Sequence, residues 1–356
     1  MLLPAAYLSN AQGADTCARD LEDIAAFLPV NDSGADAALR LHGGAIEAGL
    51  QSARKQAAGA DSAACDAILR DYLKAWRPGH LMLGPWPWTM EAALSSQGQS
   101  QRGPDPFVSK IRVLSKSTVL LTFPTFYNTY EGDIRQLLQK NRPVLERHPN
   151  WIVDVRRNNG GSDSSYGPLL PWLMHGGYVN QNVEWLATAD NLHAQESICS
   201  MAGGQASCEQ LTAPVVAALR GTPSGTFALA QGTQARTYVP VHPEKRAPQR
   251  VAVLIDRMCG SSCEQFLLAV RQSAKVKLLG RPSSGELDVS NLRPHPLPSG
   301  QRAIFYATSR SLRAPDMPID QIGVQPDILL PRPQDANAED DEIRGVQRWL
   351  EGGALQ

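Results

Sequence analysis

Apolar residues along this chain keep a helical rhythm at the start and a strand rhythm later. From residue 15 to about 77 they fall every three or four positions. Leu21, Ile24, Ala25 and Leu28 make one stripe, and Ile68, Leu69, Tyr72 and Leu73 another. The pattern predicts one helix ending at the breaker Asn31-Asp32-Ser33-Gly34, a second from Ala35 to about Lys55, and a third from Cys65 to Trp76. From Ile111 onward short apolar runs predict strands at 111–116, 117–126, 151–155, 251–255, 276–279 and 301–309. Helical patterns at 130–148, 169–174, 264–270 and 338–350 lie among them. Continuous apolar strands alternating with helices predict an α/β fold with parallel pairing. Residues 176–248 carry weak signals, among them a short helix at 213–219 and a strand at 236–241. The expected organisation is a small helical N-terminal region over 1–79, an α/β core over 80–335 and a C-terminal helix over 336–356.

Bulk properties narrow the function classes. The chain has 356 residues and a net charge of −1, with no basic block, which argues against nucleic acid as a partner. No run of 18 apolar residues suggests a membrane span. The six cysteines are even in number, and Cys199/Cys208 and Cys259/Cys263 are close in sequence. This fits a periplasmic or secreted protein with disulfides. Cys17 and Cys65 each fall on a predicted helix, so a disulfide between them would staple the two. No cysteine or histidine pair has zinc-ligand spacing, so no metal is expected. Residues 1–15 contain a short apolar stretch and small residues but no basic segment. They read as the remnant of an export signal or as a mobile start.

Candidate chemistry concentrates at Cys259-Gly260-Ser261-Ser262-Cys263, between a predicted strand and a predicted helix. A serine there is either a helix cap or a nucleophile placed where free backbone N–H groups stabilise negative charge. Cys259 and Cys263 are open to three readings: a disulfide, small buried apolar residues, or thiols beside a site. Trp86, Trp88 and Met90 either line a groove or fill a core.

Three segments together resemble the C-terminal-processing (tail-specific) serine peptidase family, which includes tricorn-type enzymes. They are Asp154-Val155-Arg156-Arg157-Asn158-Asn159-Gly160-Gly161-Ser162, Ser261-Ser262-Cys263-Glu264 and Gly323-Val324-Gln325-Pro326-Asp327-Ile328. Their order and separations fit the family over roughly residues 110–330. The resemblance implies a crotonase/ClpP-like core, Ser261 as nucleophile and no cofactor. Peptides or unfolded polypeptides would be the substrates. Two departures matter. Glu286 stands where bacterial members carry a catalytic lysine, and the stretch from His80 to Ile111 is too short for the family's PDZ domain of roughly 90 residues. The tricorn-like branch uses a histidine and an acid instead, which points to His80 after Arg77-Pro78-Gly79 and to Asp320. Backbone N–H groups of Gly160 or Gly161 and of Ser262 would hold the oxyanion. Glu286 is left as a substrate contact, an orienting group or a solvated acid. The missing lysine also motivates an alternative, a non-catalytic peptide- or ligand-binding protein on the same scaffold.

Overall fold

A computed structural model describes residues 6–87, 105–201, 206–314 and 316–355, with side chains from Thr16 onward except those of Ser207 and Ala336. Met1–Ala5, Trp88 and Met90, which entered the readings above, lie outside the described residues. The strands are β1 (Met82–Pro85), β2 (Lys110–Val113), β3 (Thr118–Thr122), β4 (Asn150–Asp154), β5 (Tyr178–Gln181), β6 (Val183–Leu186), β7 (Phe227–Leu229), β8 (Arg236–Val239), β9 (Arg250–Ile255), β10 (Val276–Gly280), β11 (Val289–Pro296), β12 (Arg302–Ser311) and β13 (Ile328–Leu329). They divide between two compact units, each built from discontinuous segments. The first comprises Met1–Arg102, Asn182–Ala235 and Val289–Asp316, and the second Gly103–Gln181, Arg236–Asp288 and Met317–Gln356.

The second unit holds a six-stranded sheet in the order β13-β10-β9-β4-β3-β2. All its pairings are parallel except β2 with β3. Every residue of β4 is buried, as is β9 from Val251 onward, because helices cover both faces. Side chains alternate between the faces. Trp151, Val153 and Val253 join a cluster with Phe266 of the helix Ser262–Val270. Ile152, Ala252 and Leu254 meet Ile343, Val346 and Leu350 of the helix Ala336–Leu350. Each such large aliphatic side chain contributes about 1.5–3 kcal/mol on burial. The C-terminal helix is also tied by Glu342, which pairs with Arg156 at 2.6 Å and with Arg281. The helix predicted over 130–148 divides into Glu131–Lys140 and Arg142–Leu145. Pro143 lacks the N–H that would continue the ladder, and the Asn141 side chain donates to Leu137 O at 2.8 Å.

The first unit packs the helices Ala6–Asn31, Ala35–Ala57 and Ser62–Trp76 around one apolar cluster. The Cys17–Cys65 disulfide joins the first helix to the third. Ile304 and Tyr306 of β12 belong to the same cluster. The sheet of this unit is antiparallel, in the order β1-β12-β6-β7, with β11 also on β12. The helices Ala189–Met201 and Ala206–Arg220 are linked by Cys199–Cys208. Among the described residues no helix is long and apolar enough to cross a membrane.

Candidate functional site

Parallel pairing of the adjacent strands β4, β9 and β10 sends the three connections that follow them off the same end of the second unit's sheet. Crevices beyond the carboxyl ends of parallel strands are where α/β sheets place their chemistry. The connection after β4 carries Gly160 and Gly161, that after β9 carries Ser261, and that after β10 carries Glu286.

Ser261 precedes the helix Ser262–Val270 with φ 56° and ψ −121°. A non-glycine residue in such a conformation costs on the order of 1–3 kcal/mol and persists only where its surroundings enforce it. The surroundings are dense. Gly260 N–H donates to Asn158 O at 3.1 Å, and Ser284 N–H to Cys259 O at 2.8 Å. Ser261 N–H donates to Glu264 Oε2 at 3.2 Å. Gly160 presses on the turn so closely that a Cβ there would lie 2.6 Å from Gly260 O and 2.9 Å from Ser261 Cβ. Gly160 N–H donates to Asn158 Oδ1 at 2.9 Å, so this residue supplies close approach and its donor is already engaged. The Gly161 and Ser262 amides have no hydrogen-bond acceptor among the described residues. A Cβ at Gly161 would meet the Phe126 backbone at 2.3 Å, which makes glycine obligatory there.

Carboxyl groups surround the turn. Glu264 is fully buried and accepts from Ser261 N–H, Ser283 Oγ (2.5 Å), Gly285 N–H (2.8 Å) and Glu286 N–H (3.1 Å). Burial lifts its pKa, and these donors act in the opposite sense. It thereby ties the serine turn to the connection after β10. Glu286 lies against the turn, with Oε1 2.0 Å from where a Gly260 Cβ would be. Its carboxyl is pushed up to about 7, first by burial and then by the Glu264 charge, although a Ser284 hydrogen bond opposes both. Asp163 is an exposed residue whose carboxyl is crowded by protein on one side, which raises its pKa against the Ser262 and Tyr166 hydroxyls that hydrogen-bond to it. Ser262 Oγ also donates to Gly161 O at 3.1 Å.

The third motif holds the connection after β10 in place. Asp327 Oδ2 accepts from Leu278 N–H at 2.8 Å, and Val324 N–H donates to Ser283 Oγ at 2.6 Å. A Cβ at Gly323 would lie 2.3 Å from Ser283 O. Asp320 sits just upstream and is locked reciprocally with Asp288. Asp320 Oδ1 accepts from Asp288 N–H at 2.6 Å, and Asp288 Oδ2 accepts from Asp320 N–H at 2.8 Å.

His80 belongs to the first unit and also has positive φ, 47°. It follows the C-terminal end of the helix Ser62–Trp76 and is 8% exposed. Arg77 fixes it: Nη2 donates to His80 O at 2.9 Å, while Nη1 and Nη2 bind Asp32 at 2.5 and 2.6 Å. Asp32 also accepts from Gly34 N–H and Ala307 N–H. His80 Nδ1 lies 2.5 Å from Val289 O. A carbonyl oxygen only accepts, so Nδ1 carries the proton and Nε2 keeps its lone pair. Burial depresses the imidazole to about 4 despite the Val289 hydrogen bond, with Arg77 adding to the depression and Asp32 opposing it.

Sequence reasoning missed Asp32, Arg77 and Val289 around His80, and Asn158 and Asp163 around the serine turn. Asp32 was visible only as part of a helix breaker. Glu264 stood inside a recognised motif, which would have signalled an acid at N3 reaching back to a cap amide.

A family model for peptidase family S41 matches residues 117–330. Comparison with curated proteins gives no match. Among solved structures, mature CPAF superposes with a TM-score of 0.62 at 12% identity, covering 97% of this chain and 99% of that one. A putative peptidase from Parabacteroides merdae superposes at 0.52 and 14% identity, covering 96% of each chain. At such identities the likeness speaks to the fold.

Proposed function

The chain belongs to peptidase family S41 and is a serine-type peptidase, and from that premise we propose that it cleaves peptides or unfolded polypeptides through Ser261, His80 and Asp320. Ser261 Oγ attacks the scissile carbonyl carbon and passes its proton to His80 Nε2. The Gly161 and Ser262 amides take the developing oxyanion. His80 then protonates the leaving amine, and water, deprotonated by the same imidazole, releases the acyl group. No cofactor enters this scheme. The finer description of the core as crotonase/ClpP-like belongs to the same proposal, as does a periplasmic or secreted location, which the three disulfides support.

One observation carries the reading. Ser261 is held in an unfavourable backbone conformation beside two backbone donors that have no acceptor among the described residues. A plain helix cap needs no such backbone conformation, and the Gly161 donor lies outside the helix altogether. On the histidine side, the Val289 carbonyl fixes the tautomer that keeps the lone pair on Nε2. Asp320 acts as a positioning residue: its carboxylate binds the amide of Asp288, the residue before Val289, whose carbonyl meets His80. Glu286 takes an accessory place beside Gly260. The test is hydrolysis of an unfolded protein substrate by the parent and by Ser261→Ala. The parent is expected to cleave, and Ser261→Ala to lose the activity at an unchanged melting temperature. A Ser261→Ala variant as active as the parent removes the nucleophile.

A further inference from the structure

The three disulfides differ in what they enclose. Cys17–Cys65 joins two long helices, and Cys199–Cys208 joins two neighbouring ones. Cys259–Cys263 closes a ring of five residues with Ser261 at its centre. Both of its cysteines are fully buried in the apolar cluster above the sheet, beside Val253 and Phe266.

The ring restricts how the chain enters the helix. Helix caps ordinarily arrive from extended backbone, and four residue steps of extended chain span up to about 13 Å. The Cys259 and Cys263 Cα atoms are 5.3 Å apart. An extended approach is therefore incompatible with the closed ring, whereas the positive φ of Ser261 folds the chain back within that distance. The neighbours of Ser261 are anchored separately, Gly260 through Asn158 O and Ser262 Oγ through Gly161 O. Ser261 N–H donates to Glu264 Oε2, and Cys263 N–H donates to Gly260 O at 3.0 Å across the turn; the disulfide is the covalent link that spans the serine.

Building on the reading of Ser261 as nucleophile, we propose that the Cys259–Cys263 disulfide is a positioning device that keeps the serine competent for acylation. The enzyme then works in its oxidised form, and a dithiol that opens this bond switches it off. In that exchange two electrons and two protons pass from the dithiol to Cys259 and Cys263, and the dithiol closes to its own disulfide.

The experiment compares fluorophosphonate acylation and peptide turnover in the oxidised parent and in the Cys259→Ser/Cys263→Ser double variant, well below the melting temperature. The acylation rate and kcat are expected to fall by about 10²-fold, the loss typical of a small misplacement of a reacting group. KM is expected to stay within about twofold, with the near-ultraviolet circular dichroism of the parent, which a purely stabilising cross-link would not produce. Equal acylation rates in parent and variant overturn the proposal. Should the double variant fail to fold, the parent is titrated with dithiothreitol, and the thiols are assigned by alkylation and mass spectrometry. Acylation must then disappear with the appearance of Cys259 and Cys263 thiols, not with those of Cys199 and Cys208, and return on reoxidation. Acylation that persists in molecules carrying free Cys259 and Cys263 overturns it. A parent that is never acylated refutes Ser261 as nucleophile, a result distinct from either of these.

Discussion

His80 and Ser261 are both non-glycine residues at positive φ, yet the two corners hold them by opposite means. The histidine corner is ionic. A buried Asp32–Arg77 pair clamps the His80 carbonyl, and burial keeps the ring neutral. The serine corner is steric and covalent. Glycines without room for a Cβ, the many-donor acceptor Glu264 and a disulfide ring fix the turn. In the proposed scheme His80 accepts a proton and must start uncharged, which a buried imidazole bonded to a carbonyl favours. A nucleophile beside an oxyanion site needs exact backbone placement more than charge, because the donors there are backbone amides.

The largest effect is expected at the histidine. His80→Ala is expected to lower kcat by about 10⁴-fold or more while the protein stays folded, since a serine nucleophile without its base loses nearly all of the group's effect. Steady-state kinetics on a peptide substrate measure this, and a loss below tenfold removes His80 from the scheme. Next in size is Asp32→Asn, which leaves the buried Arg77 without its counter-charge. A loss of about 3–5 kcal/mol in denaturant unfolding is expected. Gly160→Ala should cost less, about 1–3 kcal/mol, while reducing activity disproportionately, because its Cβ collides with Gly260 O and with Ser261 itself.

The remaining effects concern pH, and the two corners differ in sign. The His80 pKa drops from 6.5 unfolded to about 4 folded, so the unfolded chain binds the extra proton first. Its contribution to stability is complete above 6.5 and is lost as pH falls toward 4. Glu286 moves the other way, from 4.5 to about 7, so the folded state holds its proton longer and this group destabilises the fold as pH rises through that range. Glu286→Gln is therefore expected to raise stability at pH 8 by about 1–2 kcal/mol relative to the parent and to change it little at pH 4. Equal gains at both pH values would show that Glu286 is not held protonated by the turn.

Local pattern made the sheet legible. Val251–Ile255 and Trp151–Val155 are apolar enough to be strands in almost any context, and β9 and β4 lie there. The first unit was harder to read, because Asn182–Ala235 and Val289–Asp316 return to it from far along the chain. β11, with the sequence VSNLRPHP, has two prolines and no apolar run, and its strand character comes from pairing with β12. Ser261 was legible as a helix-boundary serine within a family-like motif. The partners of His80 were not, because Asp32, Arg77 and Val289 are brought together only by folding and share no local signature.

The most direct test is the site of covalent modification by a fluorophosphonate. Labelled protein is digested and the adduct located by mass spectrometry. A single adduct on Ser261, absent from Ser261→Ala and greatly slowed in His80→Ala, is the predicted result. An adduct on another residue, or labelling of Ser261→Ala at the parent rate, contradicts the assignment of Ser261 as the nucleophile.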